Sequence, residues 1–143
     1  MLYGEYRHSL DDKGRVSLPA KFRTELGERV VVSKGLEKCL FIFSTKEFEA
    51  LMERLGDLPL GRKEAREFSR FLLAGSADAD VDSHGRVLLP SGLREYAGLE
   101  KEAVLIGVST RAEIWDPVAY ESFSRRAKNE YENIAEKLLD LRI

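Results

Sequence analysis

The sequence predicts an α+β fold assembled from two copies of one supersecondary unit, and three observations carry that expectation. The run Asp11-Asp-Lys-Gly-Arg-Val-Ser-Leu-Pro19 returns as Asp82-Ser-His-Gly-Arg-Val-Leu-Leu-Pro90, with Asp, Gly, Arg, Val, Leu and Pro matching at one offset of 71 residues. Each run is followed by a short helical stretch ending in glycine, then by β-branched and aromatic strand-like runs, then by helical periodicity. At 143 residues the chain is one domain's worth of sequence, so two units that cannot each close a core are expected to pack as intertwined halves, residues 1–74 and 75–143.

In the first copy, Leu2 to Leu10 interleaves apolar and polar residues, Asp11 to Gly14 supplies turn chemistry, and Arg15 to Leu18 alternates again. That pattern reads as a β-hairpin whose tip needs Gly14 at positive φ. Pro19 opens a short helix to Leu26, closed by Gly27, with Phe22 and Leu26 on the core side. Arg29–Lys34 and Lys38–Phe43 form a second hairpin around Gly35. Ser44 caps a helix to about Leu55, and after the breakers Gly56 to Gly61 another helix carries Ala65, Phe68, Phe71 and Leu72 on one face.

The second copy repeats this order, with Pro90–Ala97 closed by Gly98, strands at Ala103–Val108 and Glu113–Trp115, and Asp116-Pro117 starting the next helix. From Arg125 to the end, Ala127, Tyr131, Ile134, Leu138 and Leu141 recur at steps of four and three. Such a stripe either packs on its own domain or forms a seam for another subunit, and the pattern serves both.

Composition narrows the function. With 43% hydrophobic and 34% charged residues, the chain falls in the globular class rather than the disordered one. It has no apolar run of transmembrane length and no signal-like N-terminus, so a cytoplasmic protein with no membrane partner is expected. Cys39 sits in an apolar run and is expected to be a buried small hydrophobe. Two histidines are too few for a Cys/His zinc site, so neither a metal nor a cofactor is expected. Asp78-Ala-Asp-Val-Asp82 invites comparison with a calcium loop, but Ser83 and Leu89 stand where an EF-hand needs Gly and Glu.

The net charge of −2 is unevenly spread: residues 1–35 hold seven Lys or Arg against five Asp or Glu, whereas residues 75–115 hold four against seven. Any attraction for phosphate is therefore strongest at the first copy. Taken alone, Asp11 and Arg15 could be no more than an exposed ion pair worth at most about 1 kcal/mol. The recurrence of the whole run in register gives it weight.

With these residues in hand, Asp11 to Arg23 followed by Leu26-Gly27 resembles the swapped-hairpin DNA-binding unit of the AbrB, SpoVT and MazE group. Two fused copies, each with DxxxR, and the N-terminal Tyr3-Gly-Glu-Tyr-Arg-His-Ser9 resemble the MraZ family. The resemblance covers essentially the full chain. It implies a double-split (swapped-hairpin) β-barrel of two pseudo-symmetric repeats with flanking helices. It also implies a ring-shaped homo-oligomer and a nucleoid-associated transcriptional regulator of a division and cell-wall gene cluster.

Carried over residue by residue, the resemblance puts contact with double-stranded DNA on Asp11 to Arg15 and on Asp82 to Arg86. The chemistry agrees for the first turn, where Lys13 and Arg15 flank Gly14 at a narrow tip able to reach phosphates or base edges. Arg7, Lys21 and Arg23 are nearby candidates for phosphate contacts. Asp11, Asp82 and Gly85 are expected to hold the turns rather than touch DNA. In the second turn His84 replaces Lys13, and Asp78 and Asp80 precede it, so Arg86 is expected to contribute less than Arg15.

No P-loop, nucleotide-binding glycine pattern or nucleophile-base set stands in the sequence, and neither enzymatic activity nor a small-molecule substrate is expected. An antitoxin-like protein-interaction module on the same fold is the competing reading. It calls for an extended C-terminal tail, whereas the C-terminus is strongly helical in pattern.

Overall fold

Over residues 1–142, a computed structural model traces the order β1 (Glu5–Ser9), β2 (Arg15–Ser17), α1 (Ala20–Leu26), β3 (Arg29–Lys34), β4 (Leu40–Ser44), α2 (Thr45–Gly56) and α3 (Lys63–Ala74). The second half follows as β5 (Ala77–Asp80), β6 (Arg86–Leu88), α4 (Ser91–Tyr96), β7 (Glu102–Val108), β8 (Arg111–Trp115) and α5 (Pro117–Lys137). The architecture is mixed α+β. One antiparallel sheet of six strands runs β1-β7-β8-β4-β3-β5, and β2 and β6 form a separate antiparallel ribbon. The six-stranded ladder does not close on itself, and β1 and β5 are its edges.

Most pairings cross between the halves. β1 lies on β7, β5 on β3, β4 on β8 and β2 on β6, whereas only β3–β4 and β7–β8 pair within a half. This corrects the expected first hairpin. β1 and β2 do turn back, with the Asp11 amide donating to the Arg15 carbonyl at 2.9 Å, but they share only the isolated bridge Leu10–Val16 before parting. The cause is burial. Val16 and Val87 face each other at the centre of the ribbon, both fully buried, and a local β1–β2 ladder would forgo that pairing. Burying such side chains is worth about 1.5–3 kcal/mol each.

The main core gathers Phe22 and Leu26 of α1, Leu93 of α4, Val30 and Val32 of β3, Leu40 and Ile42 of β4, and Leu105 and Ile114 around those two valines. Tyr6 of β1 meets Phe22 edge-on, with centroids 5.3 Å apart. Because β3 is covered on both faces, Val31 points the other way, to Phe43 and Phe48. On the same principle Val104 and Trp115 pack beneath Tyr120 and Phe123 of α5.

The helix starts follow capping chemistry. Ser44 Oγ accepts from the Glu47 amide at 3.2 Å, and the Asp116 carboxylate accepts from the Ala119 amide at 3.0 Å, with Pro117 at the first position. The C-terminal stripe behaves differently from a helix running to the end. A single helix of 21 residues stops at Lys137, and Leu138 and Leu141 lie beyond it. The end of the expected stretch, Ile143, is outside the described residues. No residue of α5 is buried, and Tyr131 and Ile134 are 73% and 47% exposed.

Candidate nucleic-acid interface

Each DxxGR turn is wired by its own aspartate. Asp11 Oδ1 accepts from the amides of Lys13 at 3.0 Å and Arg15 at 2.9 Å, while Oδ2 accepts from Arg15 Nε at 2.6 Å. Asp82 does the same with the amides of His84 and Arg86, both at 2.9 Å, and with Arg86 Nε at 2.9 Å. The spacing is thereby explained. Only a short carboxylate can reach amides two and four residues ahead, and the fourth residue must be Arg for its Nε to meet the remaining oxygen. Gly14 and Gly85 supply φ of +83° and +78° and donate back to the Asp11 and Asp82 carbonyls. Both carboxyls are held below their ordinary range, chiefly by the amides of Arg15 and Arg86.

The fold then brings the two turns side by side. The Leu18 amide donates to the Gly85 carbonyl at 2.9 Å and the Leu89 amide to the Gly14 carbonyl at 3.0 Å, so each turn is stitched to the strand leaving the other. Arg86 Nη1 comes within 3.9 Å of Asp11 Oδ2. Arg15 and Arg86 remain comparably accessible, at 28% and 30%.

Two further arginines are exchanged between the halves. Arg23 of α1 lays its guanidinium against Gly85, and Arg94 of α4 lays its own against Gly14, with Arg94 Nε donating to the Leu89 carbonyl at 3.0 Å. Arg23, a candidate for phosphate contact that is near the first turn in sequence, lies against the second. Arg94 was missed by sequence reasoning, although the 71-residue offset that relates the turns also carries Arg23 onto it.

Lys13 and His84 project from the two tips, both exposed, and His84 Nδ1 is 3.3 Å from Ser83 Oγ. Four guanidiniums thus gather at the two turns, those of Arg15 and Arg86 on the carboxylates of Asp11 and Asp82 and those of Arg23 and Arg94 on the glycines. A hollow of about 540 Å³ beside the second turn is more acidic, with Glu28, Asp80 and Asp82 facing Arg23.

The remaining candidates sit elsewhere. Arg7 is engaged by Glu121 of α5 at 2.8 Å and Glu5 at 3.6 Å, and Lys21 Nζ lies 4.6 Å above the Tyr3 ring. Among the described residues, no cluster of His, Cys, Asp and Glu could hold a metal, and no helix is long and apolar enough to cross a membrane.

The model of the family described as "MraZ protein, putative antitoxin-like" matches residues 1–71 and again residues 72–142. A protein of Thermoanaerobacter sp. (strain X514) named "Transcriptional regulator MraZ" is 50% identical over 143 residues, covering 100% of both chains. Proteins of the same name from Caldanaerobacter subterraneus subsp. tengcongensis and Acetivibrio thermocellus are each 51% identical, over 96% and 100% of this chain and the same shares of theirs. The solution structure of PHS018 from Pyrococcus horikoshii aligns over 80% of this chain and 88% of that one at 15% identity and a TM-score of 0.33, too low to establish a shared fold.

Proposed function

This chain belongs to the MraZ family, and from that membership we propose that it is a sequence-specific DNA-binding transcriptional regulator whose paired DxxxR turns make the contact. The observation that carries the reading is the juxtaposition of the two turns, with Arg15, Arg86, Arg23 and Arg94 gathered around tips already held in shape by Asp11 and Asp82. Guanidiniums presented by a prewired loop lose little entropy on meeting phosphates or guanine edges. In this reading Lys13, Gly14 and Arg15 approach the DNA most closely. Arg86 and His84 assist from the second tip, and Arg23 and Arg94 act on the flanking phosphates. Arg7 and Lys21 serve at most at the periphery.

The β2–β6 ribbon completes the six-stranded sheet as a double-split barrel, a reading supported by the Leu10–Val16 bridge and the crosswise bonds of the turns. Each half, 1–74 and 75–143, is one copy of the unit. The exposed stripe of α5 supports self-association, and a ring of copies would hold repeated DNA boxes through effective concentration rather than through one strong site. The target is the division and cell-wall gene cluster that the resemblance implies, and the working place is the cytoplasm, at the nucleoid. An antitoxin-like role is less well supported, because the C-terminal segment that would fold on a target is already the helix α5.

A mobility shift with DNA from upstream of the chain's own gene, run beside a sizing measurement, tests the proposal. A retarded band at low salt, lost as salt rises, is expected. No band at low salt would sink the regulator reading.

A further inference from the structure

A second site lies away from the turns, where α2, α3 and the loop joining β3 to β4 enclose a cavity of about 430 Å³. Its walls are aromatic, with Phe41, Phe43, Phe68, Phe71 and Tyr96 converging, and Phe68 and Phe71 are left 44% and 58% exposed. Its rim carries Lys34, Arg54 and Arg111 beside the carboxylate of Glu37, and because Arg111 is already paired with Glu113 at 2.8 Å, the excess charge is that of Lys34 and Arg54. Lys34 Nζ sits 3.8 Å from the Phe71 ring centroid, Arg111 stacks 4.6 Å over Phe41, and Arg54 has no ion pair among the described residues.

The loop forming one wall is strained. Glu37 and Lys38 both take left-handed φ, 68° and 63°, without being glycine. Such outliers persist where surroundings over-determine them, and they cluster at ligand sites. Two bonds hold this loop: Cys39 Sγ donates to the Leu36 carbonyl at 3.1 Å, and Tyr96 Oη donates to the Gly35 carbonyl at 2.8 Å.

We propose that this cavity binds an amphipathic organic anion, its flat apolar body between the phenyl rings and its anionic head on Arg54 and Lys34. The volume suits a small organic ligand, and a mostly apolar pocket with a few convergent charges is the usual composition of such sites. The apolar walls select against small polar molecules, and the charge of Lys34 and Arg54 selects against cations. The site is also placed to regulate. Tyr96, which holds the loop, and Arg94, which covers Gly14, are both on the six-residue helix α4. A ligand that displaces Tyr96 from Gly35 therefore moves the Arg94 guanidinium at the first turn. This regulatory half rests on the DNA reading above.

The test uses two dyes of the same shape on the full chain, anilinonaphthalene sulfonate and neutral N-phenylnaphthylamine, titrated by fluorescence without DNA. The sulfonate is expected to bind saturably and roughly tenfold more tightly than the neutral dye. Arg54→Glu should abolish that preference, and Phe68→Ser should weaken both dyes. Equal binding of the two dyes, or indifference to both substitutions, overturns the site. So does binding that emerges only when dilution dissociates self-associated chains, because the groove is then filled by a second copy. For the regulatory half, mobility shifts are run with and without saturating sulfonate dye. A changed DNA affinity that Tyr96→Phe removes supports it, and an unchanged affinity overturns it. A chain that binds no DNA at all removes that half together with the DNA reading, while the dye titration still decides the site.

Discussion

Arg86 Nη1 lies 3.9 Å from Asp11 Oδ2 while its Nε is 2.9 Å from Asp82, so the arginine of the second turn is shared between two carboxylates. Among the described residues, Arg15 pairs with Asp11 alone. The less encumbered guanidinium should give the larger share of binding. Arg15→Ala is expected to cost about 1–3 kcal/mol of DNA affinity, and Arg86→Ala less, in titrations at one salt concentration. Equal losses would show that the second carboxylate does not matter.

Arg23 and Arg94 extend the same argument to salt. If each meets a phosphate, replacing either by Ala should lower the slope of log affinity against log salt by about one. An unchanged slope with weakened binding would make them props for Gly85 and Gly14 instead.

The turns themselves depend on glycine. At Gly14, φ is +83° and a Cβ would run into the Arg94 guanidinium, so Gly14→Ala should destabilise the fold by about 1–2 kcal/mol. Gly92 in α4 has nothing within 4 Å of a Cβ and no left-handed φ. Gly92→Ala should instead stabilise by about 0.5–1 kcal/mol. Denaturant unfolding of both variants reads the contrast, and a common sign would contradict it.

Acid should leave the turns intact longer than free carboxylates would suggest. Asp11 and Asp82 have their folded pKa depressed, first by the Arg15 and Arg86 amides. Their contribution is therefore present above the ordinary value of 3.8 and is lost only as pH falls through the lower folded value. In an NMR titration the amides of Lys13, Arg15, His84 and Arg86 should hold their shifts down through the ordinary carboxylate range. Movement centred on that range would refute the hydrogen-bond assignment.

Burial pushes the Cys39 thiol up to about 12. The thiol should resist iodoacetamide in the native chain at mildly alkaline pH and react once the chain is unfolded in denaturant. The sign is opposite to that of the aspartates: its contribution is complete below 9.0 and is lost as pH rises toward about 12. Rapid native labelling would mean that the β3–β4 loop opens.

Local chemistry was legible in the sequence wherever a residue type has one strong local use. Pro19, Gly27, Ser44 and Asp116 mark helix ends within about a residue, and the duplicated DxxGR marks both turns. Pairing was not legible, because β2 and β6 are three residues long and their choice of each other over a hairpin neighbour depends on burying Val16 against Val87. The exchange of Arg23 and Arg94 was hidden for the same reason, since their neighbours are set by that crossed pairing. The long α5 was read only in part. Its stripe has helical spacing, but spacing does not say that Tyr131 and Ile134 stand out from the chain's own surface.

The crossing of strands between halves carries a historical implication. A single copy of this unit, with β1 and β2 seeking partners it does not itself contain, would have had to work as a pair of separate chains. Joining the two copies end to end makes their association independent of concentration. It also frees them from identity: Lys13 and His84 occupy equivalent places yet no longer have to be the same residue. In the proposed DNA-binding reading, the fused chain can therefore present two unlike fingertips to one stretch of double helix, which a symmetric pair of identical chains could never do.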